Sequence, residues 1–195
     1  MSPILQSRAN ASAIGYGAFS VAIAGDFQSI ASQTVGSGGA SSVSFTSIPN
    51  TYAHLQIRVL TRNTSSGNGN FNMVINNDTT TNYTFHSLEA DGASAGAYGE
   101  GKVRTEAIQV GVQATASNSS SIYGVTIIDI LDYANTNKYK STRCLSGFDA
   151  NGSGLLRFNS HLWNSTSAID RLDFSNTTGN FVQYTNIAIY GIKGA

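Results

Sequence analysis

The sequence predicts an all-β protein: an antiparallel β-sandwich or jelly roll over residues 26–195, with an extended N-terminal arm over residues 1–25. Three observations carry that expectation. Apolar residues alternate at period two through most of the chain. The alternating runs are short and end in clusters of Asn, Ser and Gly. No stretch of any length repeats its apolar residues at a spacing of about 3.6. A length of 195 residues fits one domain, and 41% hydrophobic residues are enough for a core.

Residues 1–25 are rich in Ala, Ser and Gly and follow no period. They read as a docking arm that takes its order from whatever it lies on. The run Ala13–Ala24 imitates a signal peptide with an Ala-x-Ala end, but Gly15, Gly17 and Ser20 interrupt it. From Asp26 the pattern becomes period two; Val43 and Phe45 alternate, and the run stops at Pro49-Asn50. Leu55, Ile57 and Val59 mark a half-buried strand with His54, Gln56 and Arg58 on its other face. After a Ser/Gly/Asn turn, Phe71, Met73 and Ile75 mark the next strand, which turns at Asn76-Asn77-Asp78. Tyr83 and Phe85 define a short strand, and residues 89–102, with few apolar anchors, read as a long Gly/Ala loop. A strand over 105–112 follows.

Ile122–Leu131 is the strongest run. Ile128 and Ile130 lie on one side, Val125, Ile127 and Leu131 on the other, and two apolar faces predict a central strand. Runs over 139–147, 155–163, 169–174 and 181–192 complete a set of about nine to eleven short strands, the pattern of a sandwich.

Charged residues are 11% of the chain against a norm of about 25%, and Ser, Thr and Asn make up roughly a third of it. Nine Phe and nine Tyr rule out a disordered chain. A formal net charge of zero argues against nucleic acid and against an anionic membrane surface as partners, and favours self-association. Cys144 is the single cysteine, so no intrachain disulfide forms; it reads as a small buried hydrophobe with no partner His nearby in the sequence.

The search for chemistry gives little. The acid pairs Asp129/Asp132, Asp170/Asp173 and Glu89/Asp91 invite comparison with facing glycosidase carboxylates, but strand ends and turns explain them. His54, His86 and His161 form no short-spaced ligand set. Asp149, Asn151 and Ser153 match the first half of a calcium loop, yet position twelve is Ser160 rather than Glu, so a hairpin turn is the simpler reading. The Asn-x-Ser/Thr triplets follow from composition. Trp163, the only Trp, is the candidate ligand-facing aromatic that could stack on a sugar. No catalytic residue, cofactor or resident metal is expected.

Three segments carry a resemblance. Ser7–Gly17 is similar to N-terminal segments of virion structural proteins of tailed bacteriophages. Ile48–Arg58 and the ending Gly179–Lys193 are similar to phage and cyanophage structural sequences. The resemblance implies a non-enzymatic, oligomeric particle component located in the virion, such as a capsid decoration or cement protein or a short tail fibre or tip. Its partners would be other capsid or tail proteins and itself, as a homotrimer. The resemblance carries over no functional residues; Arg8, Tyr16 and Phe19 are the candidate contact residues of the docking arm read from the sequence itself. The alternative is a carbohydrate-binding module that recognises a host-surface glycan.

Overall fold

A computed structural model describes residues 26–67, 69–104 and 107–194. The described residues form twelve β-strands. In chain order they are β1 (Phe27–Thr34), β2 (Ser42–Phe45), β3 (His54–Thr61), β4 (Asn70–Ile75), β5 (Tyr83–Ala90) and β6 (Ala95–Arg104). They continue with β7 (Ile108–Val112), β8 (Gly124–Leu131), β9 (Lys140–Asp149), β10 (Gly154–Trp163), β11 (Leu172–Asn176) and β12 (Asn186–Ile192). The expected antiparallel sandwich is present, with unequal layers. One sheet has eight strands in the order β1-β12-β3-β8-β9-β10-β5-β6; the other has four, β2-β11-β4-β7. The arm expected over residues 1–25, with Arg8, Tyr16 and Phe19, lies outside the described residues.

Alternation builds the core. Leu55, Ile57 and Val59 of β3 and Ile128 and Ile130 of β8 point inward, where they meet Phe71, Met73 and Ile75 of β4 and Phe174 of β11. The outer strand of the small sheet, β7, does not leave its edge bare. Asn159 Nδ2 donates to the carbonyl of Gln109 at 2.9 Å, and the amide of Val112 donates to Ser146 Oγ at 3.3 Å. Side chains of the large sheet thus stand in for a missing neighbour strand.

Two elements differ from expectation, and both sit at edges of the large sheet. Residues 89–102 are not a loop: β5 runs on to Ala90, a tight turn follows, and β6 returns beside it. Asp91 Oδ1 fastens the turn by accepting from the amides of Ala93 (2.9 Å) and Ser94 (2.7 Å), and Gly92 supplies a φ of +91°. Ala95, Gly96, Ala97 and Gly99 bury little, so this half of β6 shows no alternation. At the other edge β1, which lies in the period-two region from Asp26 but is not marked there as a separate strand, pairs with β12 through a bulge between Ser29 and Ala31. The central position expected for the Ile122–Leu131 run holds: β8 is flanked by β3 and β9.

Candidate interaction surface

β8 buries Thr126, Ile128 and Ile130 against the small sheet and turns Val125, Ile127 and Leu131 outward, where no described residue covers them. Its neighbours do the same. Residues directly opposite in antiparallel strands share a face, so register assembles these side chains into rows. One row runs Leu60–Val125–Gly147–Leu156–Ala90 across β3, β8, β9, β10 and β5. The next runs Arg58–Ile127–Leu145–Phe158–Leu88 across the same strands. Val125 is 58% exposed, Leu145 50%, Leu156 56% and Leu88 59%, far above what core-type side chains in mid-strand normally show.

Five strands at about 4.8 Å spacing make each row about 20 Å long, and the two rows lie about 7 Å apart. With their side chains they cover about 300 Å², the size of the large apolar patches that mark interaction sites on protein surfaces. The surface is not flat. Gly147 has no side chain to fill its place in the first row, and a groove of about 660 Å³ opens over it between Val125, Leu145 and Leu156.

Polar residues border the apolar rows. Asp129 of β8 lies opposite Arg143 of β9 on the same face and accepts from Gln56 Nε2 at 3.0 Å. Beyond them Phe27 stacks on Tyr190 with ring centroids 4.8 Å apart, and the Arg58 guanidinium lies 5.1 Å from the Phe27 ring and 5.3 Å from the Tyr190 ring. A cation held on two rings extends the contact surface without adding a freely solvated charge.

The residues singled out in the sequence are placed elsewhere. Trp163 is not a stacking platform. It is 2% exposed inside the core, and its indole Nε1 donates to Asp78. Asp149, Asn151 and Ser153 form the β9–β10 hairpin turn. Asp149 Oδ1 accepts from the Asn151 amide at 2.7 Å, the Ser153 carbonyl accepts from the Ala150 amide at 2.6 Å, and Asn151 and Gly152 have φ of 60° and 105°. Among the described residues, no three of His, Cys, Asp and Glu gather where they could hold a metal.

The acids point to separate partners. Asp132 is engaged by Lys138, Asp173 by Arg171 at 2.7 Å, and Glu89 by Arg157 at 2.6 Å. The Lys138 contact, more than burial, holds the Asp132 carboxyl below its usual range, and the Arg171 guanidinium does the same for Asp173.

The sheet does bring a histidine to Cys144, which sequence neighbours did not suggest: His161 Nδ1 of β10 lies 3.9 Å from its Sγ. Burial nevertheless pushes the Cys144 thiol well up, with the Asp129 charge acting in the same sense. The pair therefore holds a protonated thiol and not a nucleophilic thiolate. The outward rows were the residues the sequence reading missed as a site. Their one legible signal was the second apolar face of the Ile122–Leu131 run. No protein-family model matches the chain, and no curated protein matches it.

Proposed function

We propose that this protein is a non-enzymatic virion structural protein, a surface component such as a capsid decoration or cement protein or a short tail fibre or tip. It works by packing the outer face of its eight-stranded sheet against other copies of itself. The observation that carries this reading is the double row of exposed Val, Ile, Leu and Phe side chains across five strands. Burying such a surface is worth about 25 cal/mol per Å² before the costs of association. A closed symmetric oligomer satisfies it without leaving a growing edge. In a homotrimer, three such sheets close around a three-fold axis as a prism, and each face is covered by its two neighbours.

Zero net charge removes long-range repulsion between copies. The adjacent Asp129 and Arg143 provide opposite charges at the border, which favour one register of packing over others. The resemblance of the Ser7–Gly17, Ile48–Arg58 and Gly179–Lys193 segments to tailed-phage structural proteins supports the virion as the setting. Residues 1–25, with Arg8, Tyr16 and Phe19, are the segment we assign to docking on the particle.

The test is mass in solution. Light scattering on the purified chain is expected to give three chains per particle, and the double variant Ile127→Asp, Leu145→Asp is expected to give one. A wild-type protein that stays monomeric at high concentration would sink the proposal.

A further inference from the structure

A second site lies on the opposite face of the large sheet. The four-stranded layer ends at β7, which packs over β8, β9 and β10. The inner faces of β5 and β6 therefore overhang the small sheet. In the step beneath that overhang is a pocket of about 500 Å³, within the range of small-ligand sites. Its walls differ from the apolar outer rows. Arg157, Glu89, Gln109 and Ser87 line it together with the rings of Phe85 and Tyr98.

We propose that this pocket binds a neutral saccharide, with one pyranose ring stacked on Tyr98 and its hydroxyls held by Glu89, Gln109 and Ser87. The reading starts from Tyr98. It is 54% exposed, and its ring lies over Gly96, two residues back on the same face of β6. A Cβ at position 96 would come within 2.7 Å of the Tyr98 hydroxyl and 2.9 Å of ring carbons, so the glycine is what lets the ring lie down. A flat, open aromatic face beside a polar pocket suits a ligand with an apolar face and a polar rim.

The polar groups have capacity to spare. Glu89 Oε2 takes Arg157 Nε at 2.8 Å and Nη2 at 2.6 Å, which leaves Oε1 as an acceptor. Gln109 Oε1 accepts from Arg157 Nη1 at 3.2 Å, and its Nε2 has no partner among the described residues, which leaves a donor. Ser87 is 7% exposed, and its Oγ has no hydrogen-bond partner among the described residues. A buried hydroxyl without a partner costs free energy unless something supplies the bond. One acceptor, one donor and one group that serves as either match the hydroxyls of a sugar. Charge narrows the ligand class: among the described residues that line the pocket, Glu89 neutralises Arg157, so they offer no net positive charge to a phosphate, sulfate or carboxylate. The site is independent of the packing proposed for the outer face, and it stays open when that face is covered.

The experiment is a glycan array of neutral and anionic oligosaccharides probed with the full chain. Saturation-transfer NMR then follows on the hits with the wild type and the variants Tyr98→Ala, Gly96→Ala and Glu89→Gln. Binding of at least one neutral saccharide is expected. Tyr98→Ala should weaken it by roughly tenfold or more with an unchanged thermal melt, since the ring is open to solvent. Gly96→Ala, which leaves every polar group in place but lifts the ring, should weaken it as well. Glu89→Gln should also weaken it, and far-ultraviolet circular dichroism checks that this variant is folded. Absence of any neutral ligand at millimolar concentration overturns the proposal. So does a preference for anionic sugars, or binding that survives both Tyr98→Ala and Glu89→Gln in folded protein.

Discussion

The indole Nε1 of Trp163, at the end of β10, donates to Oδ2 of Asp78, in the turn between β4 and β5, at 2.7 Å. Asp78 collects more than this. Asn82 Nδ2 donates to the same oxygen at 2.9 Å, the Thr80 amide donates to Oδ1 at 3.0 Å, and the Tyr83 hydroxyl donates to the Asp78 carbonyl at 2.8 Å. Asn76 and Asn77 enter the turn with φ of 50° and 55°, a conformation Asn tolerates better than most residues. One carboxylate thus ties a surface turn to the only Trp of the core.

Burial alone would raise the Asp78 carboxyl, but the hydrogen bonds from Thr80, Asn82 and Trp163 together outweigh it and hold the group at about 2. A carboxyl whose folded value is depressed adds stability above its unfolded value of about 4, and that stability is lost as pH falls toward the folded value. The wild type is therefore expected to lose thermal stability between about pH 4 and about pH 2, and Asp78→Asn should flatten that part of the profile. Asp78→Ala orphans the indole N–H and should cost about 1–3 kcal/mol at neutral pH. Melting curves of the three proteins against pH check both points. Parallel profiles for wild type and Asp78→Asn would show that the knot does not titrate in this range.

Ile127 and Ile128 are adjacent in β8 and face opposite ways. Ile128 is fully buried, whereas Ile127 is 43% exposed. Ile128→Asp puts an unpaired charge in the core and should unfold the domain, a cost of several kcal/mol. Ile127→Asp should change chemical-denaturation stability by no more than about 0.5 kcal/mol when measured on dissociated protein. Equal effects at the two positions would mean that the outer face is covered within the monomer.

This pair also shows how far the sequence could be read. Period two in the Ile122–Leu131 run marks a strand and even its central place, because apolar residues on both sides exclude an edge facing water. It cannot say whether the second apolar face meets a layer of the same chain or another molecule, since both require the same side chains. The strands that escaped notice, β1 and β6, lie at the two sheet edges, where pairing comes from backbone hydrogen bonds and little side-chain burial imprints a pattern. The same limit applies to the polar pocket. Glu89 and Arg157 are far apart in the chain, and only the register of β5 with β10 sets them opposite each other. Trp163 illustrates the reverse error: a lone Trp near a strand end looks like a ligand platform until the turn at Asp78 is seen to satisfy its N–H.

Cys144 is fully buried, and burial pushes its thiol up. It should resist a thiol-specific disulfide reagent at neutral pH in native conditions and react fully once the chain is unfolded in denaturant. Labelling is then gated by opening of the sheet, so its rate should rise in the destabilised Asp78→Ala variant. Rapid labelling of the native wild type would show that β9 is accessible on the side assigned to the core.

Lys140 has no exposed surface, an unusual place for an ammonium group with no carboxylate partner among the described residues. Its Nζ donates to the carbonyls of Asn135 (2.6 Å), Lys138 (2.9 Å) and Thr166 (3.1 Å). Three donors on one atom meet three acceptors from two segments, so the side chain clamps the β8–β9 connection onto the strand-free stretch after Trp163. The amide of Ile169 donates to the Tyr133 carbonyl at 3.0 Å and joins the same two segments. Lys140→Met fills the space but orphans the three carbonyls, each worth about 1–3 kcal/mol if it stays dry. The expected outcome is a marked fall in melting temperature, with amide exchange accelerated first between Asp132 and Tyr139 and around Thr166. Lys140→Arg keeps the charge but not the compact trio of donors, and should recover only part of the loss. A Lys140→Met protein as stable as the wild type would show that water takes over the three carbonyls, and that the ammonium is a guest at this corner and not its clamp.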